Sequence, residues 1–192
     1  PKSSYIANKF ILTDEDFKQI SRSNKDVYLI HLNNKKKLSK NIKEYISYGE
    51  REGICSRYKC TTRNPWYNLP KFKQGNLLFY KRYDEIPRLI VNSCDICTTD
   101  IAYNIEVKSE YDIESVGFCF YNSLTLLLCE LNGRFYGGGV IELTPNEFRK
   151  VKIPYKFIKK KDIDALDEMI RNRINIDEII KYVDKIVLKD IA

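Results

Sequence analysis

Histidine, methionine and tryptophan each occur once in this chain of 192 residues, and no glycine-rich phosphate loop accompanies them. His31 lies inside the apolar run Val27–Leu32 and reads as a structural residue of a strand, with no nucleophile-base pairing to recommend it. Gly137 to Gly139 lacks the lysine and the serine or threonine that a phosphate cradle needs, and it follows an aromatic residue instead of a strand. Asp84, Glu85, Asp95 and Asp100 are too scattered to define a nuclease metal site. No catalytic residue is therefore assigned. Long apolar runs are missing too: nothing approaches about eighteen uncharged apolar residues, and no basic-then-apolar leader opens the chain. The expectation is a soluble, cytoplasmic protein without a membrane partner. The first residue is Pro1, which predicts a piece of a longer protein.

The composition that remains is that of a folded protein, with 43% apolar, 12% aromatic and 31% charged residues. Lys and Arg outnumber Asp and Glu by 33 to 26, a formal net charge of +7 that favours an anionic partner. Six cysteines stand at 55, 60, 94, 97, 119 and 129. Cys55, Cys60, Cys94 and Cys97 would form a four-thiolate zinc site if the two pairs met in space. Buried, reduced thiols are the simpler reading, above all for Cys119 and Cys129 in apolar runs, and no metal is assigned.

Thr13-Asp-Glu-Asp16 predicts a capped helix over about 14 to 22, and Val27–Leu32 a buried strand. Ile42, Tyr45, Ile46 and Gly49 recur at helical spacing up to Gly53. Pro65 and Pro70 keep the chain between them extended or turned. Short strands are predicted at 77–80, 88–91, 101–105 and 140–143, with an edge strand at 151–154. Leu124, Leu127, Leu128 and Leu131 predict a buried helix capped by Asn122 or Ser123 and ended by Gly133. Beyond Lys159-Lys-Lys161, isoleucines at helical spacing predict two amphipathic helices broken near 172 to 175. The fold class is α+β: a twisted, mostly antiparallel or mixed sheet with helices on one side and a helical C-terminal extension. A principal domain over 1–158 and an extension over 159–192 follow.

Arg63-Asn-Pro-Trp-Tyr67 and Gly133-Arg-Phe-Tyr-Gly-Gly-Gly139 concentrate fixed positive charge, stacking surface and permissive backbone. Arginine pairs with guanine edges or phosphates, rings pack on bases and sugars, and glycine admits close backbone approach, so these clusters suit a nucleic-acid surface. Each residue also has a plainer reading. Trp66 can serve a core, Asn122 a helix cap, Gly137 to Gly139 a turn, and Arg63 and Arg134 loop-fixing ion pairs.

Together with Tyr48-Gly-Glu50, Asn92, Asn122-Ser123, Glu130 to Arg134, Glu142-Leu-Thr-Pro145 and Ile153-Pro154, these motifs form an ordered series. From about residue 40 to 155 it resembles the C-terminal target-recognition region of TaqI-type adenine-specific DNA methyltransferases of restriction-modification systems. Asn64-Pro-Trp-Tyr67 is similar to the Asn-Pro-Pro-Tyr active-site motif of amino methyltransferases but lacks its second proline, and no cofactor-binding glycine turn precedes it. The resemblance implies a non-catalytic, duplex-reading part of an enzyme, with S-adenosylmethionine held by a catalytic domain elsewhere in the parent chain. The DNA-binding set is Arg63, Trp66, Tyr67, Asn92, Arg134, Tyr136 and Gly138, with Lys35, Lys36, Lys37, Lys71, Lys73, Lys81 and Arg82 on phosphates. Two alternatives stand beside it: a protein-interaction or subunit-docking module, and a small metal-dependent nuclease.

Overall fold

The computed structural model describes residues 5–6, 8–23, 25–32, 37–71, 74–98 and 101–189. In chain order the elements are β1 (Ile11–Leu12), α1 (Asp14–Arg22), α2 (Lys40–Arg51), α3 (Tyr58–Thr61), β2 (Leu77–Tyr80), β3 (Arg82–Tyr83), β4 (Leu89–Asn92), β5 (Ala102–Ile105), α4 (Ile113–Cys119), α5 (Ser123–Asn132), β6 (Arg134–Phe135), β7 (Ile141–Glu142), α6 (Pro145–Phe148), α7 (Lys160–Arg171) and α8 (Ile176–Val187). The fold is α+β, as its alternation of short apolar strands and amphipathic helices predicts. Two compact units emerge, Tyr28–Phe72 and the combination of Pro1–Val27 with Lys73–Ala192.

The larger unit is built on a mixed four-stranded sheet of order β1-β4-β2-β5, in which β1 runs parallel to β4 and the other neighbours are antiparallel. Both faces of its inner strands are buried, because apolar residues occupy every position of β2 and β4 up to Asn92. Phe79, Leu89 and Val91 meet Phe118, Phe120, Tyr121, Leu166 and Val183 on one face. Leu78, Tyr80 and Ile90 meet Ile6, Ile20 and Ile96 on the other, so α1 covers a face as well. A second sheet, of order β3-β7-β6, is antiparallel throughout.

The C-terminal helices belong to the same core as the sheet. Ile163, Leu166 and Ile170 of α7, with Ile179, Val183 and Val187 of α8, are all buried in it. Asp167 of α7 accepts hydrogen bonds from the N–H groups of Phe10 (3.1 Å) and Ile11 (2.9 Å), and Arg171 Nη2 donates to the Ile11 carbonyl at 2.8 Å. Free backbone groups beside edge strand β1 are thereby satisfied from a helix. The boundary expected at Lys159 thus does not coincide with a boundary between compact units.

Three local expectations are corrected. Val27–Leu32 is extended but pairs with no strand among the described residues; Tyr28, Leu29 and Ile30 are 78%, 56% and 57% exposed, and His31 is exposed too. An apolar β-branched run becomes a strand only where a neighbouring edge takes its backbone groups. Residues 151–154 likewise make no ladder; instead the Thr125 hydroxyl donates to the Lys152 carbonyl at 3.0 Å. In α5 the buried face is Thr125, Leu126 and Cys129, whereas Leu124, Leu127 and Leu131 are 43%, 50% and 71% exposed. Ser-Leu-Thr-Leu-Leu-Leu-Cys is apolar nearly all round, so its periodicity could not choose a face.

Candidate nucleic-acid interface

The smaller unit, Tyr28–Phe72, has a thin interior: Leu32 and Ile46 are its buried large apolar side chains among the described residues. Ser39 caps α2 by accepting from the Ile42 N–H at 3.4 Å, which starts the helix in the register that turns Ile46 and Gly49 inward. Tyr45 and Tyr48 are left 60% and 51% exposed on the same helix. Gly53, at φ 67°, ends α2 in the left-handed conformation that glycine adopts without strain. The chain then passes through a single 3-10 turn at Ile54–Ser56 and α3 into the turn of Pro65. There the Asn68 N–H donates to the Pro65 carbonyl (2.9 Å) and Asn68 Nδ2 to the Asn64 carbonyl (3.0 Å).

That turn seats Trp66 on α2. The benzo edge of the indole rests on Gly49, Nε1 donates to Glu50 Oε1 at 3.3 Å, and Tyr67 stands edge-on at 5.8 Å between ring centres. Trp66 therefore both packs and presents ring surface. Tyr45, Tyr48, Arg63, Trp66 and Tyr67, with the Tyr28–Ile30 segment, line a half-open groove of about 420 Å³. Arg63 is half-buried, its N–H held by the Cys60 carbonyl at 3.1 Å, and no carboxylate pairs with its guanidinium among the described residues. Lys37 and Lys71 are exposed; Lys35, Lys36 and Lys73 lie outside the described residues.

Charge is distributed unevenly between the units. Residues 28–72 contain seven Lys and three Arg against Glu44, Glu50 and Glu52, a net of +7 that equals the formal charge of the whole chain. The larger unit accordingly holds 23 basic and 23 acidic residues and is neutral overall. The excess of basic over acidic residues therefore falls on the small unit.

In the larger unit the expected contact residues divide by environment. Asn92 is 6% exposed and its amide is fully engaged: Nδ2 donates to the Gly75 and Ile96 carbonyls (2.9 and 3.0 Å) and Oδ1 accepts from the Ile96 N–H (3.1 Å). Its expected DNA contact is corrected to a turn-fixing role, since burial and local bonding leave it no free group. Asn122 is buried as the cap of α5, accepting from the Thr125 N–H at 2.9 Å. Arg82 and Arg134 flank Glu142 across the second sheet; Arg82 Nε donates to Glu142 at 3.0 Å, while Arg134 pairs with Glu147. The Thr144 N–H, with help from Arg134, holds the Glu147 carboxyl down at about 2. Both guanidinium side chains remain substantially exposed beside these pairings. Lys81 is half-buried.

The β6–β7 hairpin closes with the Tyr136 N–H on the Val140 carbonyl at 2.8 Å. Gly138 and Gly139 turn at φ 85° and 82°, and beyond their chain neighbours none of the described residues comes within 4 Å of a Cβ placed there. Phe135 and Tyr136 beside them are 71% and 50% exposed. Sequence reasoning missed Phe135 and the exposure of Tyr45 and Tyr48. Their signal was aromatic residues beside turn glycines and beside, not on, the inward face of α2.

Among the described residues, no group of three or more His, Cys, Asp or Glu is placed to hold an ion. All six cysteines are free, and burial pushes the Cys129 thiol up to about 12. The described helices include none long and apolar enough to cross a membrane.

Residues 1–188 match the family described as Type II methyltransferase M.Eco57I, C-terminal domain. The chain is also 29% identical over 203 residues to the Type II methyltransferase M.AccI of Acinetobacter calcoaceticus, an alignment covering 96% of this chain and 36% of that protein. It thus spans about a third of that relative's length. With the match extending over nearly every residue, the chain belongs to the family of the C-terminal domain of the Type II methyltransferase M.Eco57I.

Proposed function

We propose that this chain is a sequence-specific duplex-DNA recognition module, of the TaqI-type kind, within an adenine-specific methyltransferase of a restriction-modification system. Methyl transfer and the S-adenosylmethionine site belong, in this reading, to a catalytic domain of the same parent protein, and this region performs no chemistry. The observation that carries it is that residues 28–72 hold a net charge of +7, equal to that of the whole chain, in the unit whose groove is lined by Arg63, which has no paired carboxylate among the described residues. Lysines on that unit neutralise phosphates, which positions the duplex; Arg63 supplies a bidentate donor for a guanine edge. Arg134 and Tyr136, at the base and side of the open glycine hairpin, form a second exposed contact element.

Titrating labelled duplexes of different sequence with the protein at two salt concentrations tests this reading. Affinity should fall steeply with salt for every duplex and should single out one short sequence. Salt-independent binding, or equal and negligible binding to all duplexes, would overturn it.

A second role, docking against another protein surface, is favoured by one observation: Leu124, Leu127 and Leu131 stand exposed at helical spacing on α5, in the neutral unit. α7 and α8 do not offer that surface, because their apolar faces are already buried. Leu127→Glu together with Leu131→Glu should leave DNA binding unchanged and weaken association with the rest of the methyltransferase. Unchanged association removes this role.

A further inference from the structure

Resting on the reading of residues 28–72 as DNA-binding, we infer that the groove walled by Tyr45, Tyr48, Trp66 and Tyr67 is a stacking slot for one unstacked nucleobase of the bound DNA, with Arg63 at its wall for the base edge or its phosphate. Base-paired duplex explains the lysines but not this groove. A paired and stacked base shows only its edge in the grooves of DNA, whereas aromatic side chains gain from a π-face, which a base offers only once it leaves the stack. Five rings from three separate segments line it, α2 supplying Tyr45 and Tyr48, the turn after Pro65 Trp66 and Tyr67, and the extended segment before α2 Tyr28.

Charge selects the occupant. A hydrophobic peptide would be served by the groove's aliphatic residues, among them Leu29, Ile30 and Leu69, but would gain nothing from a unit whose net charge is +7. A flat apolar ring carried on a polyanion matches both the aromatic walls and the net charge of the unit that holds them. The groove volume of about 420 Å³ falls within the range of roughly 300–1,000 Å³ common for organic ligands. Trp66 is held against Gly49 and Glu50, so the wall is preformed.

Trp66 is the sole tryptophan, and its fluorescence reports on this groove alone. The test uses the full chain and three labelled DNAs of one sequence context: a duplex with a single bulged adenine, the same duplex with an abasic bulge, and the fully paired duplex. The bulged adenine should quench Trp66 and bind about tenfold tighter than the abasic bulge, the scale of one base–aromatic stack. Tyr48→Ala should bring the adenine-to-abasic affinity ratio towards one, and Tyr48→Phe, which keeps the ring, should restore it. Equal affinity for both bulges with unchanged Trp66 emission overturns the slot; if salt-dependent duplex binding persists, the recognition reading survives without it. Failure to bind any of the three DNAs overturns both.

Discussion

Gly49 is the seat of Trp66: a Cβ at position 49 would lie 2.7 Å from Cη2 and 3.2 Å from Cζ2 of the indole. An alanine in mid-helix ordinarily gains about 1 kcal/mol over glycine. Here the contact is closer than carbon atoms tolerate, and overpacking costs about 1–3 kcal/mol. Gly49→Ala is therefore expected to displace the indole, shifting Trp66 emission to the red and lowering the stability of the small unit. Unchanged emission would show that the turn carrying Trp66 yields without cost.

Arg63 and Lys71 should fail differently. Arg63→Ala is expected to cost about 1–3 kcal/mol of affinity at the preferred sequence and to relax the preference. Lys71→Ala should weaken all duplexes nearly equally and reduce the slope of log affinity against log salt by about one. Fluorescence-anisotropy titrations across several salt concentrations and sequences separate the two.

Asn92→Ala should act on the fold. It leaves the buried Ile96 N–H without its acceptor and removes two donated bonds, a loss of about 1–3 kcal/mol for the orphaned group. Denaturant unfolding should show this, with DNA affinity of the folded fraction unchanged.

Acid sensitivity should centre on Asp16. Burial works to raise its carboxyl, but Arg171, Lys9 and Thr13 outweigh burial and hold it well below the usual range. Both Asp16 oxygens accept from Arg171, at 2.8 and 2.9 Å, and Lys9 lies 2.8 Å away. A carboxylate with a depressed folded pKa stabilises the protein above its unfolded value of about 4, and that contribution disappears as pH falls further. Asp16→Asn should remove about 1–3 kcal/mol at neutral pH, because the charge-assisted bonds to Arg171 and Lys9 are lost while Arg171 keeps Asp167, and should flatten the stability loss below about pH 4. Thermal melts of both proteins across the acid range measure the difference.

Truncation after Ile158 is expected to abolish cooperative unfolding of the larger unit. Six buried aliphatic side chains leave with α7 and α8, each contributing about 2 kcal/mol, so the loss is of the same size as the whole margin of about 5–15 kcal/mol on which a domain survives. Circular dichroism with a thermal melt checks it; a cooperative transition in the truncated chain would show that the helices are an appendage after all.

Local chemistry was legible wherever one segment decides its own state. Thr13 with Asp16, Asn122 and Gly53 or Gly133 mark helix ends through bonds and dihedrals made within a few residues, and β2, β4 and β5 follow from β-branched and aromatic runs between turns. The net charge and the Arg63–Tyr67 and Arg134–Gly139 clusters were equally plain, and with them the resemblance to the C-terminal region of a Type II methyltransferase.

What required the tertiary structure is which surface each residue faces. Val27–Leu32 has a strand's composition but no edge to pair with among the described residues, and α5 is apolar on too many sides for periodicity to pick its buried face. Asn92 looks like a contact residue until the turn around Ile96 closes on its amide. The isoleucines after Lys159 require burial without saying against what; the answer is the sheet that begins the chain, through Asp167 and Arg171. Periodicity and capping are short-range properties that the amino-acid order carries by itself, whereas the pairing of edges and the choice of exposed face depend on segments far apart in the chain meeting in space.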